Sequence, residues 1–408
     1  MNFNRSQVPT SLCRFSLAFI GLFIGSLGLT TFAGDPPAQE RPRRIFLDEF
    51  RPTSMLKVPE HVLTKAKFPC VNVHSHPGRL SPAELDEMVR VMDEANIAVS
   101  VSLDGGQRGT SVAQHIHTLN QKYADRFVVF QWIDLCGQGE FTKPETWDVH
   151  KPGFGQKAAD KLSESVKLGC SGLKVWKDIG LYLKGPDGKL IMPDDQRFDP
   201  IWQRCAELNI PVIWHCADPP AFFTPTSEKN ERWEELYRHP EWSFYGPEFP
   251  SHQELMDARN RVVARHPETT FICAHMAELS EDLSQLDQTL EAYPNMHVEF
   301  AARISELGRQ PYSARKFFLK HSDRILFGTD GVPPMTELIP HFRMLETWDE
   351  YFPYEDNPFP PQGLWNIYGL GLPDEVLQKV YYGNASRLIP GVAGKVEKYR
   401  QTHPETHP

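Results

Sequence analysis

Apolar runs rich in β-branched residues recur along the chain at Val71–Val73, Ile97–Leu103, Phe127–Ile133, Leu173–Trp176, Ile210–Trp214, Thr270–Cys273, His297–Phe300 and Ile325–Phe327. Each is short and suits a buried strand. Between most of them lie segments whose apolar residues fall at helical spacing. Leu85, Met88, Val89 and Met92 follow the first run, Ala158, Leu162 and Val166 precede the fourth, and Trp202, Cys205 and Ala206 precede the fifth. Leu255, Ala258 and Val262 come before the sixth, and Leu283, Leu286 and Leu290 before the seventh. Strands alternating with helices predict parallel βα units, and eight of them predict a closed (β/α)8 TIM barrel. The rival architecture is an open, doubly wound sheet. It favours fewer strands and a Gly-rich nucleotide loop, and no such loop follows the first run.

Two stretches break the rhythm, residues 217–250 and 351–371, both rich in Pro, Trp, Phe and Tyr. Long insertions on the βα loops of a barrel are expected over its mouth, where aromatic side chains line a pocket. The competing expectation is an oligomer contact or plain cover.

The chain ends follow other rules. Arg5 and Arg14 precede the apolar run Phe15 to Leu29, which closes in Thr30-Thr31-Phe32-Ala33. That pattern predicts a signal peptide over residues 1–33 and export to the periplasm or the extracellular space. The run is interrupted by Gly21, Gly25 and Gly28 and is short for a spanning helix, so no stable membrane insertion is expected once the leader is removed. Residues 34–67 read as an N-terminal arm or linker, 68–395 as the barrel and 396–408 as a polar tail. Six cysteines follow the leader. Export permits disulfides, but several sit in strand-like apolar runs, which predicts mostly buried free thiols.

Composition adds exclusions. The chain of 408 residues is 40% apolar and 24% charged, which suits a globular protein with a large core. A formal net charge of -10 argues against a nucleic-acid or anionic-membrane partner and leaves a small-molecule substrate, with a homo-oligomer allowed.

In a (β/α)8 barrel the strand ends meet on one rim, so chemistry is sought there. The first strand ends in His74-Ser75-His76, the fourth carries Lys174, the fifth ends at His215, the sixth at His275, and the eighth ends Gly328-Thr329-Asp330. Taken singly, His215 or His275 reads as a hydrogen-bonded polar residue and Asp330 as a helix cap. Together, imidazoles from three strands with a carboxylate and a lysine predict a divalent metal site.

This set resembles the amidohydrolase superfamily, and within it the amidohydrolase-related family that includes aminocarboxymuconate-semialdehyde decarboxylase. The similarity runs from about Phe68 to Pro390 and includes Gly383-Asn384-Ala385-Ser386-Arg387-Leu388, which is similar to the family's closing helix. The resemblance implies that His74, His76, His215 and Asp330 hold one divalent ion, most often zinc, with His275 beside it acting on substrate or bound water. It further implies a bound water acidic enough to give hydroxide near neutral pH, with Asp330 moving its proton. In other branches a lysine placed like Lys174 is carboxylated and bridges two metals; the resemblance favours one ion, with Lys174 contacting substrate. Arg108, Arg232 and Arg303 are candidate partners for a substrate carboxylate.

The expected activity is therefore metal-dependent hydrolysis of an ester, lactone or amide in a small molecule. The alternative is non-oxidative decarboxylation of a small aromatic or unsaturated acid by the same ligands. A third expectation is a non-catalytic binding protein, against which the complete ligand set speaks.

Overall fold

Eight strands pair in chain order into one parallel sheet: β1 (Cys70–Ser75), β2 (Ile97–Gly105), β3 (Phe127–Trp132), β4 (Cys170–Val175), β5 (Val212–Trp214), β6 (Phe271–Cys273), β7 (Met296–Glu299) and β8 (Ile325–Leu326). The sheet closes on itself because Val73 N–H donates to Phe327 O (2.9 Å) and Asp330 N–H to His74 O (3.0 Å). All eight predicted strands are present. The computed structural model describes residues 43–46, 49–50, 52–107, 110–355 and 362–403. The expected leader, the arm up to residue 42 and Arg108 lie outside the described residues. The chain divides into two compact units, Met1–Leu56 and Lys57–Pro408. In the first, the Glu49 and Phe50 N–H groups donate to Phe46 O in a turn. The barrel belongs to the second.

One principal helix follows each strand: α1 (Pro82–Glu94), α2 (Val112–Tyr123), α3 (Phe154–Lys167), α4 (Asp199–Glu207), α5 (His252–Arg265), α6 (Leu283–Ala292), α7 (Pro311–Lys320) and α8 (Met335–Glu346). Local sequence sets several of their starts. Ser81 with Glu84 and Ser251 with Glu254 form reciprocal capping boxes, and Ser111 caps α2. The buried face of α1 is Leu85, Met88, Val89 and Met92, as the spacing predicts.

Strand alternation then sorts the core into two. Val73, Val101, Phe130, Ile213, Ile272 and Leu326 share one cluster, while Val129, Leu173, Val212, Phe271 and Val298 join the helices in another. A further helix near the C-terminus, α9 (Val392–Thr402), places Val396 and Tyr399 in the first of these clusters. This corrects the expectation of a polar tail from residue 396: two apolar residues at helical spacing bury one face of an otherwise polar segment. The six cysteines from Cys70 onward are free, and all but Cys136 are buried. Among the described residues no helix is long and apolar enough to cross a membrane.

Burial of His297 on β7 carries a pH cost. Burial, helped by Arg324, pushes its imidazole down to about 3 from 6.5. A base with a depressed folded pKa stabilises the fold fully above 6.5, and that stability is lost as pH falls from 6.5 towards 3, by about 1.4 kcal/mol per pH unit. The melting temperature is therefore expected to drop between pH 7.5 and 5, and to drop less in His297→Gln; equal pH slopes in the two proteins would contradict this.

Candidate metal centre and cavity

The β1–β2 register slips between Asn72 and Ser75, so His74 turns inward although Val73 already belongs to the inner core. His74 Nδ1 lies 2.8 Å from Glu299 Oε1 at the end of β7, and His76 Nδ1 lies 2.7 Å from Asp104 Oδ1 at the end of β2. A carboxylate partner calls for N–H at Nδ1 and leaves the lone pair on Nε2. Both Nε2 atoms converge on Asp330 Oδ1, at 3.1 and 3.5 Å. The ligand atoms of His74, His76 and Asp330 lie within 4.8 Å of one another, as do those of His74, His275 and Glu299.

His275 donates from Nδ1 to Ala301 O (2.8 Å), which leaves its Nε2 buried without a hydrogen-bond partner, 3.9 Å from Asp330 Oδ2. His215 Nε2 is likewise buried and unpartnered, with Asp218 Oδ1 at 3.5 Å. The His215 ring stands 4.4 Å from that of His275. Burial pushes His215 down to about 4 and His275 well below its ordinary range, so both are neutral near pH 7. Burial alone would raise the Asp330 carboxyl, but His74, His76 and His275 hold it well below the usual carboxylate range. Orphaned imidazole nitrogens beside lone-pair nitrogens and an ionised carboxylate fit a divalent cation.

Lys174 on β4 places Nζ 3.3 Å from His74 Nε2; burial pushes it down to about 8, with Asp330 and Glu299 opposing. Glycines make room at both motifs. A Cβ at Gly172 would lie 2.4 Å from the Phe130 ring, and one at Gly328 would lie 2.5 Å from Glu299 Oε2.

After β6 the chain makes a left-handed turn. His275, Met276, Ala277 and Glu278 have φ of 54°, 58°, 55° and 55°, which costs about 1–2 kcal/mol per residue for side chains bearing a Cβ. Buried contacts hold it. Glu278 accepts from the Cys216 and Ala217 N–H groups (2.8 and 3.3 Å), and Arg259 pairs with Glu278 (2.9 Å) while donating to Ala277 O (2.7 Å). The turn that aims His275 is thus tied to the residues that follow His215.

The cluster floors a cavity of about 1020 Å³. His74, His76, Lys174, His215 and Asp330 line its base, and Trp132, Phe141, Trp147 and Trp176 line its wall. Trp132 and Trp176 are 5.9 Å apart, and Trp176 stacks on Tyr182. The wall aromatics come from the end of β3, the loop that follows it and the residue after β4. Among the described residues neither long insertion contributes to the lining, and Phe222, Leu236, Phe244, Phe352, Ile367 and Leu370 are buried in the outer core instead. For those residues, cover and not pocket lining is what the structure shows.

The structure brings together His74, His76, His215, His275, Asp330 and Lys174. Arg232 is buried in ion pairs with Glu235 (2.9 Å) and Glu306, and Arg303 is buried and donates to Ala302 O; neither lines the cavity. Asp104 and Glu299 are site residues that the histidine pattern passed over. Both stand at strand ends, so counting carboxylates as well as imidazoles along the rim would have found them.

A family model described as amidohydrolase matches residues 149–391. Among solved structures, 2,6-dihydroxybenzoate decarboxylase from Rhizobium is 17% identical, with 79% of this chain and 98% of that one covered and a TM-score of 0.48. An uncharacterized TIM-barrel protein from Bordetella bronchiseptica is 14% identical over 80% and 99%, with a TM-score of 0.47. A putative amidohydrolase from Staphylococcus aureus is 16% identical over 78% and 99%, also at 0.47.

Proposed function

This chain belongs to the amidohydrolase family, and on that premise we propose that it is a metal-dependent carboxy-lyase acting on a flat, conjugated carboxylic acid. One observation carries the reading: a tryptophan-walled cavity stands directly over a cationic lysine and the histidine–aspartate cluster. Aromatic faces such as those of Trp132 and Trp176 favour a planar ring, and the lysine favours its carboxylate.

His74, His76, His215 and Asp330 would hold one divalent ion, zinc or another first-row metal that accepts imidazole and carboxylate donors. When bound, that ion supplies positive charge to orient the substrate's carboxylate and a neighbouring oxygen. The remaining steps fall to the chain. Lys174 Nζ pairs with a carboxylate oxygen, and the tryptophan wall excludes water from the ring. Asp330, ionised at rest, takes up one proton from solvent and delivers it to the ring carbon as the bond from that carbon to the carboxylate breaks, so that an acid anion and one proton give the arene and carbon dioxide. His275 stays neutral and, with its N–H given to Ala301 O, accepts at Nε2 a hydrogen bond from a substrate hydroxyl beside Asp330.

Hydrolysis of an ester, lactone or amide would draw on the same residues but consume water. The two are separated by loading the protein with divalent metal and offering hydroxybenzoates alongside lactones and amides. The expected result is carbon dioxide equal to acid consumed, one ion per chain, and loss of turnover on chelation. Cleavage of lactones or amides with no acid decarboxylated would overturn the reading, and two ions per chain would point instead to a carboxylated Lys174.

A further inference from the structure

The cavity does not stop at the barrel mouth. Besides the cluster and its tryptophans, its lining includes Val112 and Ala113 in the first turn of α2, Gln131 on β3, and Lys161, Ser165 and Leu168 at the end of α3. Val129 belongs to the outer core and Val128 and Phe130 to the inner one, so alternation turns Gln131 outward, towards the helices. One volume therefore runs from the metal centre across the β3 rim into a crevice between α2 and α3.

Two features mark the crevice as built for a ligand. Gln131 is only 3% exposed, and its Oε1 is buried with no hydrogen-bond partner, an arrangement that ordinarily costs about 1–3 kcal/mol. The whole volume, about 1020 Å³, stands at the upper end of the roughly 300–1,000 Å³ that encloses a drug-sized ligand. A single-ring acid leaves most of it empty. Among the described residues the charges nearby are paired, Lys161 with Asp134 at 2.5 Å and Glu164 with Lys167 at 2.7 Å, so these residues offer neutral hydrogen bonding between apolar walls.

We infer that the crevice between α2 and α3 is a second subsite, and that the substrate is an extended acid whose remote ring or chain carries a neutral hydrogen-bond donor to Gln131 Oε1. The inference rests on the carboxy-lyase reading for the reacting end and on Gln131 and the cavity for the remote end. It makes Gln131 a specificity-determining residue that acts far from the ion.

The test is calorimetric binding to metal-loaded protein with three probes: salicylate, its 4-phenyl derivative and its 4-(4-hydroxyphenyl) derivative. The hydroxyphenyl acid is expected to bind at least about tenfold more tightly than salicylate, with the phenyl acid between them. Ala113 is exposed on α2, so Ala113→Trp fills the crevice without disturbing the core and should bring all three affinities to within about threefold. Gln131→Leu should erase the difference between the hydroxyphenyl and phenyl acids. Equal affinities in the native protein, or an undiminished advantage in Ala113→Trp, would overturn the subsite. The two readings fail separately. Selective binding without carbon dioxide release sinks the carboxy-lyase assignment and keeps the crevice, whereas equal kcat/KM for all three acids keeps the carboxy-lyase and sinks the crevice.

Discussion

Asp330→Asn is expected to lower kcat by about 10²–10⁴-fold, the range for loss of a positioned proton donor, at saturating metal. The carboxylate reaches His74, His76 and His275 together, at 3.1, 3.5 and 3.9 Å. An amide keeps the shape and an oxygen for the ion but cannot carry the proton. Its backbone also survives, because the Asp330 N–H bond to His74 O and the left-handed φ of 65° both tolerate asparagine. Metal content is to be measured in the same samples, so that lost occupancy is told apart from lost chemistry. Turnover within tenfold of the native enzyme at full occupancy would remove Asp330 from the proton transfer.

Glu299→Gln is expected to weaken divalent-metal binding by about 10–100-fold, the usual cost when the partner of a ligating histidine is lost. Glu299 is fully buried and serves three donors at once. Oε1 takes the His74 ring (2.8 Å) and the His275 N–H (3.1 Å), and Oε2 takes the Ala301 N–H (2.6 Å). An amide has one accepting oxygen. Its NH₂ must then face either His74 Nδ1–H and His275 N–H or Ala301 N–H, and each orientation sets donor against donor. If the NH₂ faces His74, the ring is driven to the other tautomer and its proton moves to Nε2, where the ion should sit. Titration with Mn²⁺ or Zn²⁺ followed by calorimetry reads the effect directly. Unchanged affinity would show that Glu299 supports the barrel alone.

Much of this was legible from residue order. Short apolar runs separated by helical spacings give all eight strands, and the rim histidines follow from their places at strand ends. Three things were not. His74 and Val73 both turn inward, which strict alternation forbids; only the register slip beside β2 permits it. Arg232 reads as a partner for a substrate carboxylate, yet Glu306, 74 positions later, claims it in a buried pair that no local pattern announces. Aromatic richness points to the two insertions as walls of the cavity, but their described apolar side chains satisfy the outer core, whereas Trp132 and Trp176 of the wall sit inside the runs at the ends of β3 and β4 and read as strand residues. Long-range pairing decides each case, and sequence spacing reports only on neighbours.

The left-handed turn at His275–Glu278 bears on how this protein can change. At Ala277 glycine would relieve backbone strain at the loss of a single methyl, so a stabilising substitution is available within the rim itself, whereas Met276 is fully buried and its truncation would cost more than the strain it relieves. A glycine there would also loosen the tether that aims His275 beside His215. Selection for robustness would therefore reach into the chemistry first, and heat-resistant descendants of this chain are expected to be the ones whose turnover has suffered.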